Sequence, residues 1–353
     1  MCTQRTYIKW VLSGLLTYVV LALIAGACSP AGEAKKQSNK GVELANQGQF
    51  QKAIAEYDEA IRLDPKFALA YNNRGEAYRK LGQYQQAIQD YDEAIRLNPK
   101  LAVAYSNRGL AYSNLGQNQQ AIQDLDEAIR LNPKLAPAYN NRGLAYRNLG
   151  QHPQAIRDYD EAIRLDPNFA MAYSNRGLAY SDLSQNQQAI RDYDEAIGLE
   201  PNFAVAYSNR GIAYDNLGQY QRAIQDFDEA IRLNPKLAQA YNNRGLAYRN
   251  LGQHQQAIRD YDEAVRLDPK DASTYSNRGF AYANWGQHER AIKDFNEAIR
   301  LDPAFAVAYS NRAVAYTFLG MDNEARQDAD KAIELGFDRS TLERAVDEAK
   351  HKR

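Results

Sequence analysis

The side chains able to do chemistry in this 353-residue chain are few, and most recur at a fixed step. Cysteine occurs only at Cys2 and Cys28, too few for a disulfide framework or a thiolate zinc site. Four histidines, His152, His254, His288 and His351, offer little for a metal cluster. His254 and His288 hold equivalent turn positions, and His288-Glu289 lacks the second histidine of the zinc-protease motif. Acidic runs such as Asp90-Tyr91-Asp92-Glu93 have the composition of calcium ligands. They fall inside a helical pattern, where residues two apart diverge, and lack the loop glycine of a calcium site. No nucleophile elbow, P-loop or dinucleotide-binding glycine pattern is present. We therefore expect no enzyme, and assign no catalytic, cofactor or metal residue.

What does recur is a set of ladders. Asparagine returns at Asn39, Asn73, Asn107, Asn141, Asn175, Asn209, Asn243, Asn277 and Asn311. An amide side chain donates and accepts at once, so it can pair with both polar groups of a peptide backbone. One residue later stands arginine: Arg74, Arg108, Arg142, Arg176, Arg210, Arg244, Arg278 and Arg312. These could serve an anionic partner; the favoured reading pairs each with an aspartate such as Asp90 or Asp124, fixing register more than adding stability. A third ladder is apolar: Leu110, Leu144, Leu178, Ile212, Leu246, Phe280 and Val314.

The ladders require a scaffold of matching period, and the chain has one. From Ala68 the sequence repeats every 34 residues through Ala102, Ala136, Ala170, Ala204, Ala238, Ala272 and Ala306, with a divergent copy from Ala34, nine repeats over 34–339. A fixed period of this length marks a solenoid. Each repeat reads as two helices. Tyr71, Gly75, Ala77 and Tyr78 form one apolar stripe, Ala87, Ile88, Tyr91, Ala94, Ile95 and Leu97 the other. Gly82 is a helix stop and Pro99 closes the repeat. Asp92 and Arg96 have the spacing of an outer-face ion pair. The terminal repeats diverge, with Gln37 for the usual tyrosine, Ala313 for glycine and Gly336-Phe337 for Asp-Pro, as end repeats do. Residues 340–353 are expected to form a capping helix over the last apolar face, with Ser340 and Glu343 as a capping box. Ser184 in place of glycine and Gly198 in place of arginine should weaken their region.

Small residues at Gly109, Ala121 and Ala128 and proline at Pro133 resemble the tetratricopeptide repeat. The resemblance implies an all-α fold, a right-handed superhelix of nine helix-turn-helix repeats whose first helices line a concave face. It further implies that the second, fifth, sixth, ninth, twelfth and thirteenth positions of each repeat face that groove. The asparagines occupy the sixth and the apolar ladder the ninth, joined at the second by Val103, Met171, Val205 and Val307. Helices packed about 8–10 Å apart and a peptide advancing about 3.3 Å per residue would bring one asparagine to roughly every third peptide residue. The row is similar to the asparagine ladder of O-linked N-acetylglucosamine transferases. Contact between neighbouring repeats is the other reading for both ladders. Position five, Asn or Ser in the internal repeats, does not carry the basic clamp with which chaperone adaptors hold acidic C-termini.

The start of the chain is different. Arg5 and Lys9 precede an apolar run, Trp10 to Ala27, that reads as a secretory signal or an uncleaved anchor. Ile24-Ala25-Gly26-Ala27-Cys28 resembles the lipobox of bacterial lipoproteins, with Ala25 where that family prefers leucine. The resemblance implies a signal peptide over 1–27 and a diacylated Cys28. Residues 28–39, small and polar, are then a flexible tether overlapping the first repeat. Ser29 leans toward the outer membrane, the protein facing the periplasm.

Charge narrows the partner. With 43 basic and 44 acidic residues the net charge is −1, without the basic excess of a nucleic-acid binder. The mean hydropathy of −0.65 excludes a polytopic membrane protein. The expected function is a membrane-tethered scaffold of the bacterial cell envelope that holds an extended protein segment, with assembly of a secretion or pilus complex as the leading context. The alternatives are a scaffold subunit for a separate enzyme, such as a glycan-building complex, and a structural spacer.

Overall fold

The computed structural model describes residues 29–353. Among them are 19 α-helices and no strand. They run as pairs: α1 (Pro30–Asn46) with α2 (Phe50–Leu63), α3 (Ala68–Lys80) with α4 (Tyr84–Leu97), and so on in 34-residue steps to α17 (Ala306–Phe318) with α18 (Asp322–Glu334), followed by a single α19 (Arg339–Lys352). The contacts divide the chain into two compact parts, one ending at Asn175 and one beginning at Arg176. Within each part a second helix packs on its own first helix and on the first helix of the next repeat. No helix among the described residues is long and apolar enough to cross a membrane.

One close approach sets the repeat. A methyl group added to Gly75 would lie 2.8 Å from the Tyr91 ring, and one on Gly211 would lie 2.7 Å from the Phe227 ring. The bare glycine backbone of the first helix therefore rests directly on a fully buried ring of the second. Alanines complete the layer: Ala87 and Ala94 flank Tyr91, and all three are shut from solvent. The last repeat carries Ala313 at the glycine position because its partner position is Ala329 instead of an aromatic residue. The two changes compensate in volume.

The turn inside each repeat uses a second glycine. Gly82 sits at φ +75, with its N–H on the Arg79 carbonyl at 3.0 Å and the next N–H, of Gln83, on Tyr78 at 2.9 Å. This left-handed residue closes the first helix and satisfies its last carbonyls. Ser184 makes the same turn at φ +59, where a side chain is strained.

The arginine ladder is a clamp between helices. In the N-terminal part Arg142 donates from Nε and Nη2 to both carboxylate oxygens of Asp158, at 2.8 and 2.7 Å, and from Nη1 to Asp126 of the preceding repeat at 2.6 Å. Arg74 and Arg108, and in the C-terminal part Arg210, Arg244 and Arg278, repeat this three-point arrangement. The guanidinium also lies over the ring four positions into its helix, 5.6 Å from Tyr139 for Arg142. Burial pushes the Asp158 carboxyl up from its ordinary value, and the hydrogen bonds and charge of Arg142 pull it back. The expected pairing is thus present and extends further, since each of these six arginines also ties its own repeat to the one before. It also takes the acid assigned to the outer-face pair. Asp92 answers Arg108, while Arg96 turns to Glu93 at 2.7 and 2.6 Å. Repeat one keeps the clamp with other residues, Lys40 on Glu56 at 2.6 Å.

Three expectations change at the ends. Residues 30–39, expected to be a tether, are the opening turns of α1: Ser29 caps it by accepting from the Gly32 N–H at 3.0 Å, Pro30 fits its first turn, and Ala34 and Ser38 are buried. Packing of α1 on α2 holds a segment whose composition alone would leave it loose. The cap of α19 is Asp338, which accepts from the Thr341 N–H at 2.8 Å and from the Ser340 and Thr341 hydroxyls, and these bonds lower its carboxyl to about 2. The expected capping box does not form, and Glu343 pairs with Arg339 at 3.5 Å. Finally, α19 packs chiefly on α17. Gly336, at φ +94, replaces the usual Asp-Pro turn and redirects the chain, so a groove remains between α18 and α19, lined by Ala325, Ala329 and Ile333.

Two predictions follow from this packing. Gly198 has open space around it, so combining Ser184→Gly with Gly198→Arg should raise stability by about 1–2 kcal/mol. The gain should appear as slower hydrogen exchange across residues 184–198, and uniform protection in the wild-type chain would count against it. In denaturant titrations Asp158→Ala should cost about 2–3 kcal/mol, because it leaves the half-buried Arg142 guanidinium with only the exposed Asp126. The exposed Asp126→Ala should cost under about 1 kcal/mol; equal costs would refute the clamp.

Candidate functional site

The first helices carry every described residue assigned to partner binding from the sequence. Cys28 and the apolar run before it lie outside the described residues.

The asparagines at position six are half-buried in repeats two to nine except for the buried Asn141, and Asn39 of repeat one is exposed. Several spend their amides on the neighbouring repeat. Asn107 donates to Asn72 at 3.1 Å, Asn175 to Asn140 at 2.9 Å, Asn277 to Asn242 at 3.1 Å and Asn141 to the Ser106 hydroxyl at 3.4 Å. Where position five is Asn, that residue also donates to its own neighbour, as Asn72 does to Asn73 and Asn242 to Asn243. Asn243 accepts a further bond from Gln239 at 3.0 Å. Asn209 and Asn311 make none of these bonds. Position five itself is buried throughout repeats two to nine. It therefore sits behind the face, against the expectation that it lies in the groove. The first helices approach closely enough for short polar side chains to bridge them, and burial of those groups demands partners.

The ladder at position nine is half-covered. Leu110, Leu144, Leu178, Ile212, Leu246 and Phe280 are all intermediate in exposure. Ile212 packs against the cluster of Ala223, Phe227 and Ala247, and Phe280 against Ala291, Phe295 and Ala315. The Arg249 guanidinium lies 5.0 Å over the Phe280 ring. The apolar side chains that stand free are instead at position two, where Leu69, Met171, Val205 and Val307 are 43–48% exposed. Leu69 belongs to the same repeat pattern, and its place one residue into the first helix was the available signal.

Arginines of the clamp are committed to aspartates, so they do not present a basic ladder. Position twelve also varies between repeats. Arg79 folds onto Glu76 at 2.8 and 2.6 Å, and Asp215 is half-buried, with burial raising its carboxyl and the Arg249 charge opposing that rise. His288 opens α16 (His288–Leu301) and stacks on Phe318 with centroids 4.4 Å apart and planes 6° apart. Desolvation there lowers its pKa below the ordinary histidine value. The face therefore offers free aliphatic side chains, amides in part already paired, and little unpaired charge.

Similarity to known proteins agrees with this architecture. Models described as TPR repeat match residues 41–82 and 75–116, and the model described as tetratricopeptide repeat matches six consecutive segments over 102–305. Among solved structures, one of the anaphase-promoting complex hetero-tetramer Cut9-Hcn1 aligns at 21% identity with a TM-score of 0.65, covering 75% of this chain and 52% of that one. The chain thus spans about half the length of that relative. A tetratricopeptide repeat protein from Parabacteroides merdae aligns at 20% identity and a TM-score of 0.54, covering 70% of this chain and 98% of its own. MamA aligns at 30% identity over 46% of this chain and 94% of its own, with a TM-score of 0.43. No curated protein sequence matches. With its period, glycine-on-ring packing and family matches over most of its length, the chain belongs to the tetratricopeptide repeat family.

Proposed function

We propose that the protein is a non-enzymatic scaffold that holds an extended segment of a partner protein along the first helices. In this reading it is tethered through a lipid on Cys28 to a membrane of the bacterial cell envelope. The observation that carries the binding reading is the exposure of aliphatic side chains at position two, Leu69 and Met171 in the N-terminal part and Val205 and Val307 in the C-terminal part, beside the half-buried amides of position six. Exposed apolar side chains at a repeated position favour protein contact, and aliphatics beside amides favour an uncharged segment over an acidic one. The tether is supported by the Ile24–Cys28 segment alone. It would raise the local concentration of membrane-bound partners, which suits assembly of an envelope complex.

A photoreactive residue at Leu178 or Asn209 should crosslink one discrete partner protein from cells; crosslinks only to lipid or to the protein itself would refute the scaffold reading. Cys28→Ala should release the protein from the membrane fraction, and its retention there would refute the lipid anchor.

A further inference from the structure

Position twelve of the first helix is Ala45 in repeat one, then Arg79, Ser113, Arg147, Ser181, Asp215, Arg249, Ala283 and Thr317. Two cavities lie between successive first helices in the same register, and each contains one of the two alanines. One, of about 250 Å³, lies between repeats one and two beside Ala45. The other, of about 260 Å³, lies between repeats eight and nine beside Ala283. A one-carbon side chain at this position leaves open the space that arginine fills in repeats two, four and seven.

The two cavities differ in chemistry. The first is bordered by Glu76 and Lys80, with Phe50 and Val42. The second is lined by Phe280, Ala283, His288, Asn311, Val314 and Phe318, without a carboxylate, lysine or arginine. Phe318 stands at a position occupied by Asn, Asp or Lys in the other repeats. It stacks flat on His288, and burial there pushes the imidazole below its ordinary pKa, against the charge of Glu289. The Asn311 amide is at hand with no side-chain partner of its own, unlike Asn107, Asn175 and Asn277.

We propose that the cavity between repeats eight and nine is the anchor pocket for the bound segment, taking one uncharged aromatic or large aliphatic side chain of a partner protein while Asn311 pairs with the backbone beside it. The inference rests on the binding reading above. A pocket of this volume walled by three phenylalanines, Phe280, Phe295 and Phe318, and by Val314 gains from apolar burial. Its uncharged lining would leave a buried carboxylate or ammonium without a counter-ion. Pockets that receive one anchor dominate the energetics of such surfaces, while flanking contacts add little.

The test uses the full chain and a phage-displayed library of random 12-residue peptides. Enriched peptides are then measured by fluorescence anisotropy against wild type, Ala283→Arg and Ala45→Arg. Arginine is native at the equivalent position of three repeats, so both variants should fold, which a thermal melt checks. Enriched peptides should share one aromatic or aliphatic anchor. Its replacement by aspartate, or Ala283→Arg, should weaken binding by about 30-fold or more, and Ala45→Arg should leave it unchanged. Peptides that bind tightly yet ignore Ala283→Arg, or that share a charged anchor, would overturn the pocket and leave the groove standing. If no peptide is enriched, the binding reading fails and the pocket with it.

Discussion

Everything in this molecule depends on how closely two helix backbones approach inside one repeat. Glycine at the eighth position, such as Gly75 or Gly211, lets a large side chain of the second helix (a ring in most repeats, Leu125 in the third) lie against bare backbone, and alanines on the second helix admit the next repeat. Such packing is dense and leaves a substituted methyl nowhere to go. Ala313 and Ala329 show the constraint by their exception, since the last repeat abandons the ring and the glycine together.

The close approach creates an electrostatic obligation. Bringing the helices together buries one aspartate per repeat, such as Asp158 or Asp260, and a buried carboxylate is costly unless paired. Arginine meets the need with its planar fork, and its third nitrogen reaches back to the previous repeat. Register within a repeat and register between repeats thus share one side chain. The same logic governs the polar residues at position five, which are hidden by the stacking; Asn72, Ser106, Asn140 and Asn242 find partners in the asparagines of position six. The asparagine ladder is therefore partly structural cement. What it can offer a ligand varies from repeat to repeat with the identity of the residue behind it.

Variation, in turn, is where a near-uniform array can become specific. The repeats agree at positions that pack and differ at positions two, twelve and thirteen. Alanine at position twelve leaves a cavity between successive first helices in repeats one and eight, where other repeats carry arginine, serine, aspartate or threonine.

The period, the helix pairs, the turn glycines and the aspartate partners of the arginines were legible in the sequence. Each follows from local geometry or from a spacing repeated nine times. What the sequence could not show is which polar groups the stacking hides, because that depends on the distance between first helices and not on residue type. It could not show that Asp92 serves the next repeat's Arg108 when Arg96 lies four residues away, since a partner across an interface competes with one along a helix. Nor could it show that residues 30–39 join the first helix, or that Gly336 turns α19 onto α17. Local sequence determined the repeat, because every repeat solves the same packing problem. Tertiary structure alone decided which side chains remain free to meet a partner, because exposure is a property of neighbours.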